Sequence, residues 1–260
     1  MTIASTPSFD LSGRVALVTG ASSGFGAHWS RLLAAAGARV VMAARRVDRL
    51  AATVEEIAAH GGKAHAVALD VADEDQTRAA YDEAERVFGT VDTIIANAGI
   101  GTELSTFDID VDSFDAVLAT NLRGVFLTVR EGARRLIAAG SAETGRGRVV
   151  IVSSVTARKA YAQTAAYGAS KAAVLHMSRI MARDWARKGI NVNTIIPGYF
   201  KTELTGDLFD TASGEYLLKS FPRRRLGELT DMDVPLLFFT SDHSARVTGS
   251  ELMIDDGQTL

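Results

Sequence analysis

Short apolar, β-branched runs recur along the chain, separated by longer stretches in which Ala, Leu and Val return every three or four residues. A short apolar run bounded by polar or Gly residues suits a strand buried on both faces. A return every three or four residues instead sets one face of a helix. On that basis Arg14–Thr19, Arg39–Ala43, Ala64–Leu69, Thr93–Ala96, Arg148–Ser153, Asn191–Ile196 and Glu251–Ile254 are predicted strands, with helices between most of them. Unbroken alternation of this kind predicts a doubly wound, parallel, seven-stranded α/β sheet covered by helices on both faces. No Pro- or Ser-rich linker interrupts it, so residues 11–260 are expected to form a single domain, and residues 1–10 a loose N-terminal tail.

Two regions break the rhythm. Ser141–Gly147 is polar and contains Gly, and is predicted to be an exposed turn before a strand. Tyr199–Leu226 is longer and mixes charges with Leu204, Leu208, Phe209, Tyr216, Leu217, Leu218 and Phe221. That pattern predicts a helical lid over a ligand with apolar surface; an amphipathic segment that only packs on the core would read the same way.

Composition narrows the chemistry. The chain of 260 residues, 47% hydrophobic and 23% charged, has enough apolar content for a full core. A net charge of −3 gives no footprint for nucleic acid. The absence of cysteine excludes disulfides, thiol nucleophiles and Cys-ligated metal, and the five histidines show no ligand spacing, so no metal is expected. The start of the chain lacks a basic and apolar leader, and no segment offers roughly 18 uninterrupted apolar residues. No membrane partner is therefore expected, and the location is predicted to be cytoplasmic.

The first candidate chemistry is Tyr167-Gly168-Ala169-Ser170-Lys171, which puts a phenol and an ammonium four residues apart in a helical stretch. Four helical residues rise about 6 Å and return to the same face. A unit charge at ~4 Å in a partly screened site is worth up to roughly 4 kcal/mol, or about three pKa units. The expectation is that Lys171 lowers the Tyr167 phenol toward neutral pH, where acid–base catalysis is efficient. Such a pair by itself is common on surface helices.

A second motif supports it. Val15–Val18 runs into Thr19-Gly20-Ala21-Ser22-Ser23-Gly24-Phe25-Gly26 and then a helix, the strand–turn–helix context of a dinucleotide turn. Glycines admit a pyrophosphate close to the backbone, and the helix N-terminus supplies free N–H groups. At the end of the second strand, Ala44 stands where a carboxylate would grip an adenosine 2′-hydroxyl, and Arg45 follows. A guanidinium there suits a 2′-phosphate, so NADP(H) is favoured over NAD(H). Arg45 and Arg46 could equally be a solvated loop.

The spacing Gly-x-x-x-Gly-x-Gly, with Asn97-Ala98-Gly99, Ser154, Tyr167-x-x-x-Lys171 and Pro197-Gly198, resembles the short-chain dehydrogenase/reductase family from about Leu11 to Leu260. The resemblance implies a Rossmann-type fold and a direct hydride transfer between a nicotinamide and a carbonyl carbon. It assigns Asn121, Ser154, Tyr167 and Lys171 to catalysis. Ser154 orients the substrate oxygen, Tyr167 exchanges its proton, and Lys171 holds the nicotinamide ribose. The Asn121 backbone holds a water beside the lysine. An Asn inside a helix also fits a local distortion. The cofactor wall is assigned to Gly20, Ser22, Ser23, Gly24, Phe25, Gly26, Arg45, Asp70, Val71, Asn97, Ala98, Gly99, Tyr167, Lys171, Pro197, Gly198, Phe200 and Thr202. In that assignment Asp70 and Val71 meet the adenine, Asn97–Gly99 the adenosine ribose, and Thr202 the carboxamide. Asp70 could instead cap a helix starting near Asp73. Phe25 and Ala96 depart from the family's usual Ile and Asn.

Enoyl reductases of that family carry an additional residue between tyrosine and lysine, so ketone–alcohol chemistry is favoured here. The implied substrate is a ketone or a 3-oxoacyl thioester. Arg134 and Arg183 align with arginines that dock an acyl carrier, although either could be a solvated charge. The alternative is an NAD(H)-dependent dehydrogenase of a sugar acid, polyol or hydroxysteroid-like alcohol. A non-catalytic dinucleotide-binding regulator is the remaining reading, and retention of all four catalytic residues argues against it. The resemblance also implies a homotetramer assembled through long helices near Val111–Ala139 and Ala165–Lys188.

Overall fold

The computed structural model describes residues 8–102 and 104–260. Seven strands, β1 (Val15–Thr19), β2 (Arg39–Ala44), β3 (Lys63–Ala68), β4 (Thr93–Ala96), β5 (Gly147–Val152), β6 (Ile190–Pro197) and β7 (Glu251–Ile254), form one sheet in the order β3-β2-β1-β4-β5-β6-β7. Every pairing is parallel, from Val15 opposite Arg39 in the first pair to Pro197 opposite Ile254 in the last. The sheet is the Rossmann-type one expected, and each predicted strand lies within one residue of an observed one.

The helices are α1 (Gly24–Ala35), α2 (Val47–Ala59), α3 (Glu74–Phe88), α4 (Val111–Leu118), α5 (Val125–Ala138), α6 (Ser141–Thr144), α7 (Ala165–Trp185), α8 (Ala212–Ser220) and α9 (Asp233–Thr240). Alternation along β1 explains the two layers. Val15 and Leu17 join a core with Tyr81 of α3, Val129 of α5 and Val174 of α7. Ala16 and Val18 join the opposite core with Trp29 of α1, Leu50 of α2 and Phe239 of α9. Because both faces of the central strands are buried, these read as continuous apolar runs rather than alternating ones, whereas the edge strands β3 and β7 are partly exposed.

Residues 142–146 are exposed before β5, as expected of this segment, but its first residue is anchored. Ser141–Thr144 closes a helical turn, Ser141 is buried, and its hydroxyl donates to the Lys188 carbonyl oxygen at 2.5 Å. The turn rests on Gly189, where a Cβ would stand 1.8 Å from the Ser141 carbonyl oxygen. A contact between segments so distant in sequence leaves no local pattern to read.

Ser8 to Asp10 of the predicted tail are described and its first seven residues lie outside the described part. Among the described residues no helix is long and apolar enough to cross a membrane. Strand order reverses around β1, between β2 and β4, and the carboxyl ends of the strands there open a groove, the usual place for a ligand on an open α/β sheet.

Candidate active site

The groove begins at the turn between β1 and α1. Gly20 and Gly24 take φ of +65° and +51°, which disfavour a side chain. A Cβ on Gly20 would stand 2.8 Å from the Ala98 Cα, and one on Gly26 would stand 2.3 Å from the Gly20 carbonyl oxygen. Gly26 thus lies behind the turn and lets it close; it is not itself on the groove wall. Thr19 ties the turn to its neighbour, accepting at Oγ1 from the backbone N–H of Asn97 and Ala98, each at 3.1 Å. The Asn97 amide donates to the Thr19 carbonyl oxygen at 2.9 Å. Ser23 makes no side-chain cap on α1, and the first turn of α1 holds no acidic residue. Open N–H groups and an uncompensated helix dipole suit a pyrophosphate.

Gly20, Ser22, Ser23, Gly24, Phe25, Arg45, Asp70, Val71, Asn97, Ala98 and Gly99 all line this first cleft, as does Thr120. A dinucleotide therefore fits the residues present: bare glycine backbone, an uncapped helix end and a wall without carboxylates except Asp70 and Glu203. Asp70 does not cap the following helix. Asp73 does so, accepting from Asp75 and Gln76 N–H at 2.9 Å each, whereas Asp70 accepts from Ala72 N–H at 3.0 Å.

The two arginines after β2 differ. The Arg46 guanidinium reaches Ser22 Oγ at 3.1 Å and Glu203 at 3.2 Å, and Arg49 holds the other Glu203 oxygen at 2.7 Å. Arg45 lines the same cleft and forms no ion pair among the described residues. Nothing in the sequence marks Glu203 as the partner of Arg46, because the two lie on loops that only the fold brings together.

The side chains expected to carry the chemistry stand at the other end of the groove. Ser154 follows β5 and Tyr167 and Lys171 share one face of α7; all three line a second cleft of about 670 Å³. Lys171 is 3% exposed, its Nζ donates to the Val152 carbonyl oxygen at 2.9 Å and lies 5.6 Å from the centre of the Tyr167 ring. Ser153, the neighbour of Ser154, uses its hydroxyl to hold the Lys171 carbonyl oxygen at 2.8 Å, which leaves Ser154 facing Tyr167.

The expected depression of the Tyr167 phenol is not what the packing produces. Burial pushes its pKa up from the ordinary value, with a hydrogen bond from Ser154 acting in the opposite direction. The same burial pulls Lys171 down to about 8. The spacing places the pair on one face of α7, but burial there penalises both charged forms.

Asn121 stands behind both clefts rather than on their walls. Between α4 and α5 the chain widens into a π-helical turn, Ala119–Gly124, the distortion its mid-helix Asn suggested. The Asn121 side chain is fully buried; it accepts from Ile100 N–H, donates to the Ile100 carbonyl oxygen, both at 2.8 Å, and donates to Ser170 Oγ at 3.1 Å. It ties the loop after β4 to the helix of Tyr167 and Lys171.

Pro197, Gly198, Phe200 and Thr202 line the second cleft, and Phe25, Asn97, Gly99, Thr202 and Leu204 border both clefts, so the groove is continuous. Phe25 stacks on Trp29 with centres 5.0 Å apart and meets Phe200 edge-on at 5.1 Å, filling the space between α1 and the turn after β6. Of the apolar residues in 199–226, Leu204 and Leu208 face the cleft, whereas Phe209 and Phe221 pack against Tyr199 and Tyr216 is 78% exposed. Two further residues escape sequence reasoning. Gln258 is buried and holds the Tyr199 backbone, accepting from its N–H at 2.6 Å and donating to its carbonyl oxygen at 3.2 Å. Gln163 lines the second cleft at φ +64°, a non-glycine residue in the left-handed region.

Sheet order, a glycine cradle and a Ser–Tyr–Lys group on one groove define a nucleotide-dependent oxidoreductase of the α/β class. The chain belongs to the short chain dehydrogenase family, whose profile matches residues 14–213. It is 33% identical over 252 residues to a D-threitol dehydrogenase of Mycolicibacterium smegmatis, covering 97% of this chain and 95% of the relative. It is 36% identical over 253 residues to a gluconate 5-dehydrogenase of Gluconobacter oxydans, covering 97% of each. The solved structure of a gluconate 5-dehydrogenase from Burkholderia cenocepacia, in complex with NADP and tartrate, superposes with a TM-score of 0.90 at 36% identity, over 96% of this chain and 97% of that one. The protein is accordingly an NAD(P)-dependent oxidoreductase acting on alcohols or ketones.

Proposed function

We propose that this protein interconverts a ketone and a secondary alcohol with NADP(H), using Tyr167 as the acid–base group. The observation that carries the reading is the convergence of Ser154, Tyr167 and Lys171 in a cleft continuous with the glycine cradle. A nicotinamide held in that groove would supply or accept the hydride. The Ser154 hydroxyl donates to the substrate oxygen and aligns it with Tyr167. Tyr167 gives its phenolic proton to that oxygen in reduction and takes it back in oxidation. The phenol is protonated at neutral pH, the form from which it would donate in reduction, and burial pushes its pKa further up. Lys171 stabilises the phenolate formed in that step, and Asn121 fixes the helix that carries both.

Arg45, uncommitted beside the buried Ala44, supports a 2′-phosphate and hence NADP(H), as does the NADP in the Burkholderia structure. Residues 199–226 serve as the lid. The exposed Phe126, Ile137 and Ile180 on α5 and α7 support assembly into a homotetramer through those helices. A threitol and a gluconate dehydrogenase among the relatives support an alcohol–ketone reaction, with acyl thioesters kept as one arm of the test. Arg45→Ala is expected to weaken NADPH, followed by fluorescence titration, by about tenfold or more while NADH changes little; equal weakening would remove the 2′-phosphate role.

A further inference from the structure

The second cleft is poor in positive charge. Among the described residues that line it, Lys171 is the only cation and its ammonium is already bound to the Val152 carbonyl oxygen. Asp207, at the exposed mouth formed by the segment after β6, is the only carboxylate. Arg158 is paired with Glu251, Arg223 and Arg225 with Asp256, and Arg46 and Arg49 with Glu203; Arg224 and Arg45 form no ion pair among the described residues, and neither lines this cleft. A substrate carboxylate entering this cleft would lose water without gaining a counter-ion and would meet the field of Asp207.

Neutral polar contacts are available in its place. Gln163 precedes the N-cap residue of α7, one helical turn before Tyr167, and its side-chain amide makes no hydrogen bond among the described residues. A non-glycine residue held at φ +64° is strained, and strain of this kind gathers where a ligand is gripped. The amide offers a donor and an acceptor to a neutral hydroxyl or carbonyl group. Thr102 and Ser213 add hydroxyls to the walls, and Leu204 and Leu208 cover the carbon chain.

We propose, building on the ketone–alcohol reading above, that this cleft selects uncharged substrates bearing a second oxygen function, with Gln163 reading that oxygen and Asp207 rejecting carboxylates. The class is the neutral hydroxyketone and its diol or polyol; sugar acids are excluded.

The test compares alditols with the aldonates of the same chain length, which differ by a primary alcohol in place of a carboxylate. Binding to the cofactor-free protein is read by titration calorimetry, and oxidation with NADP⁺ is read separately by absorbance. The alditol is expected to bind about tenfold or more tightly than its aldonate, with the gap narrowing at high salt because Asp207 at the mouth is screened. Asp207→Asn should narrow the gap through the aldonate, and Gln163→Ala should weaken binding of the alditol by about tenfold. An aldonate bound as tightly as the alditol, or no binding of either, overturns the proposal. Absence of nicotinamide turnover with every alcohol, despite the expected binding order, would instead overturn the acid–base reading and leave the substrate class standing.

Discussion

Lys171 carries a charge in a place that resists it. Its pKa falls from 10.5 to about 8, a gap worth about 3 kcal/mol when the ammonium is held at neutral pH. Between those two values the unfolded chain binds a proton that the folded chain has released, so this residue makes stability rise with pH across the window from 8 to 10.5. Lys171→Met is therefore expected to be more resistant to urea than wild type at pH 7, by about 2–3 kcal/mol, and to lose most of that advantage by about pH 10. An advantage independent of pH would mean that the ammonium is not desolvated. Ketone reduction should also decline as pH rises through about 8, when the lysine loses the charge that stabilises the phenolate. At this scale the sequence carried the pairing but not its electrostatics. The spacing of Tyr167 and Lys171 is a local helical property, whereas their desolvation depends on β5, the loop after it and residues 199–226 closing around them.

Among elements, the central strands were legible because each is an apolar run buried on both faces, and the glycine turn because its residues are consecutive. Long-range ties were not. The π-helical turn at Ala119–Gly124 is hinted at by a helical Asn, but the partners of that Asn, Ile100 and Ser170, lie 21 and 49 residues away. Asn121→Leu would leave both backbone groups of Ile100 unpaired, and is expected to lower unfolding stability by about 2–4 kcal/mol in chemical denaturation. A loss below about 0.5 kcal/mol would show that the turn stands without it. Gly26→Ala tests the cradle: a Cβ 2.3 Å from the Gly20 carbonyl oxygen must push the turn out of place. NADPH affinity is expected to drop by about tenfold or more; an unchanged affinity would place the dinucleotide elsewhere.

Across the whole molecule, the end of the chain returns to the groove. Gln258 clamps Tyr199, and Asp256 pairs with Arg223 and Arg225, so the C-terminus fixes both ends of the segment 199–226. Nothing in the C-terminal sequence announces this, because the partners of Gln258, Tyr199 and Arg225, lie 59 and 33 residues earlier. Gln258→Ala is expected to raise KM several-fold with a smaller effect on kcat, as loosening of a lid would. An unchanged KM would count against the lid role proposed for residues 199–226.

The central claim is that Tyr167 exchanges a proton with the oxygen of a ketone or secondary alcohol while a nicotinamide exchanges the hydride. It is tested most directly by the change in reduced-nicotinamide absorbance. Wild type and Tyr167→Phe are compared with NADPH and NADH against hydroxyketones, diketones, sugar acids, ketosteroids and acetoacetyl thioesters. The account predicts turnover with NADPH on the neutral ketones, and a fall of about two to four orders of magnitude in Tyr167→Phe with NADPH affinity retained. A Phe variant that keeps the wild-type rate, or a wild type that binds NADPH tightly and reduces nothing, would contradict it.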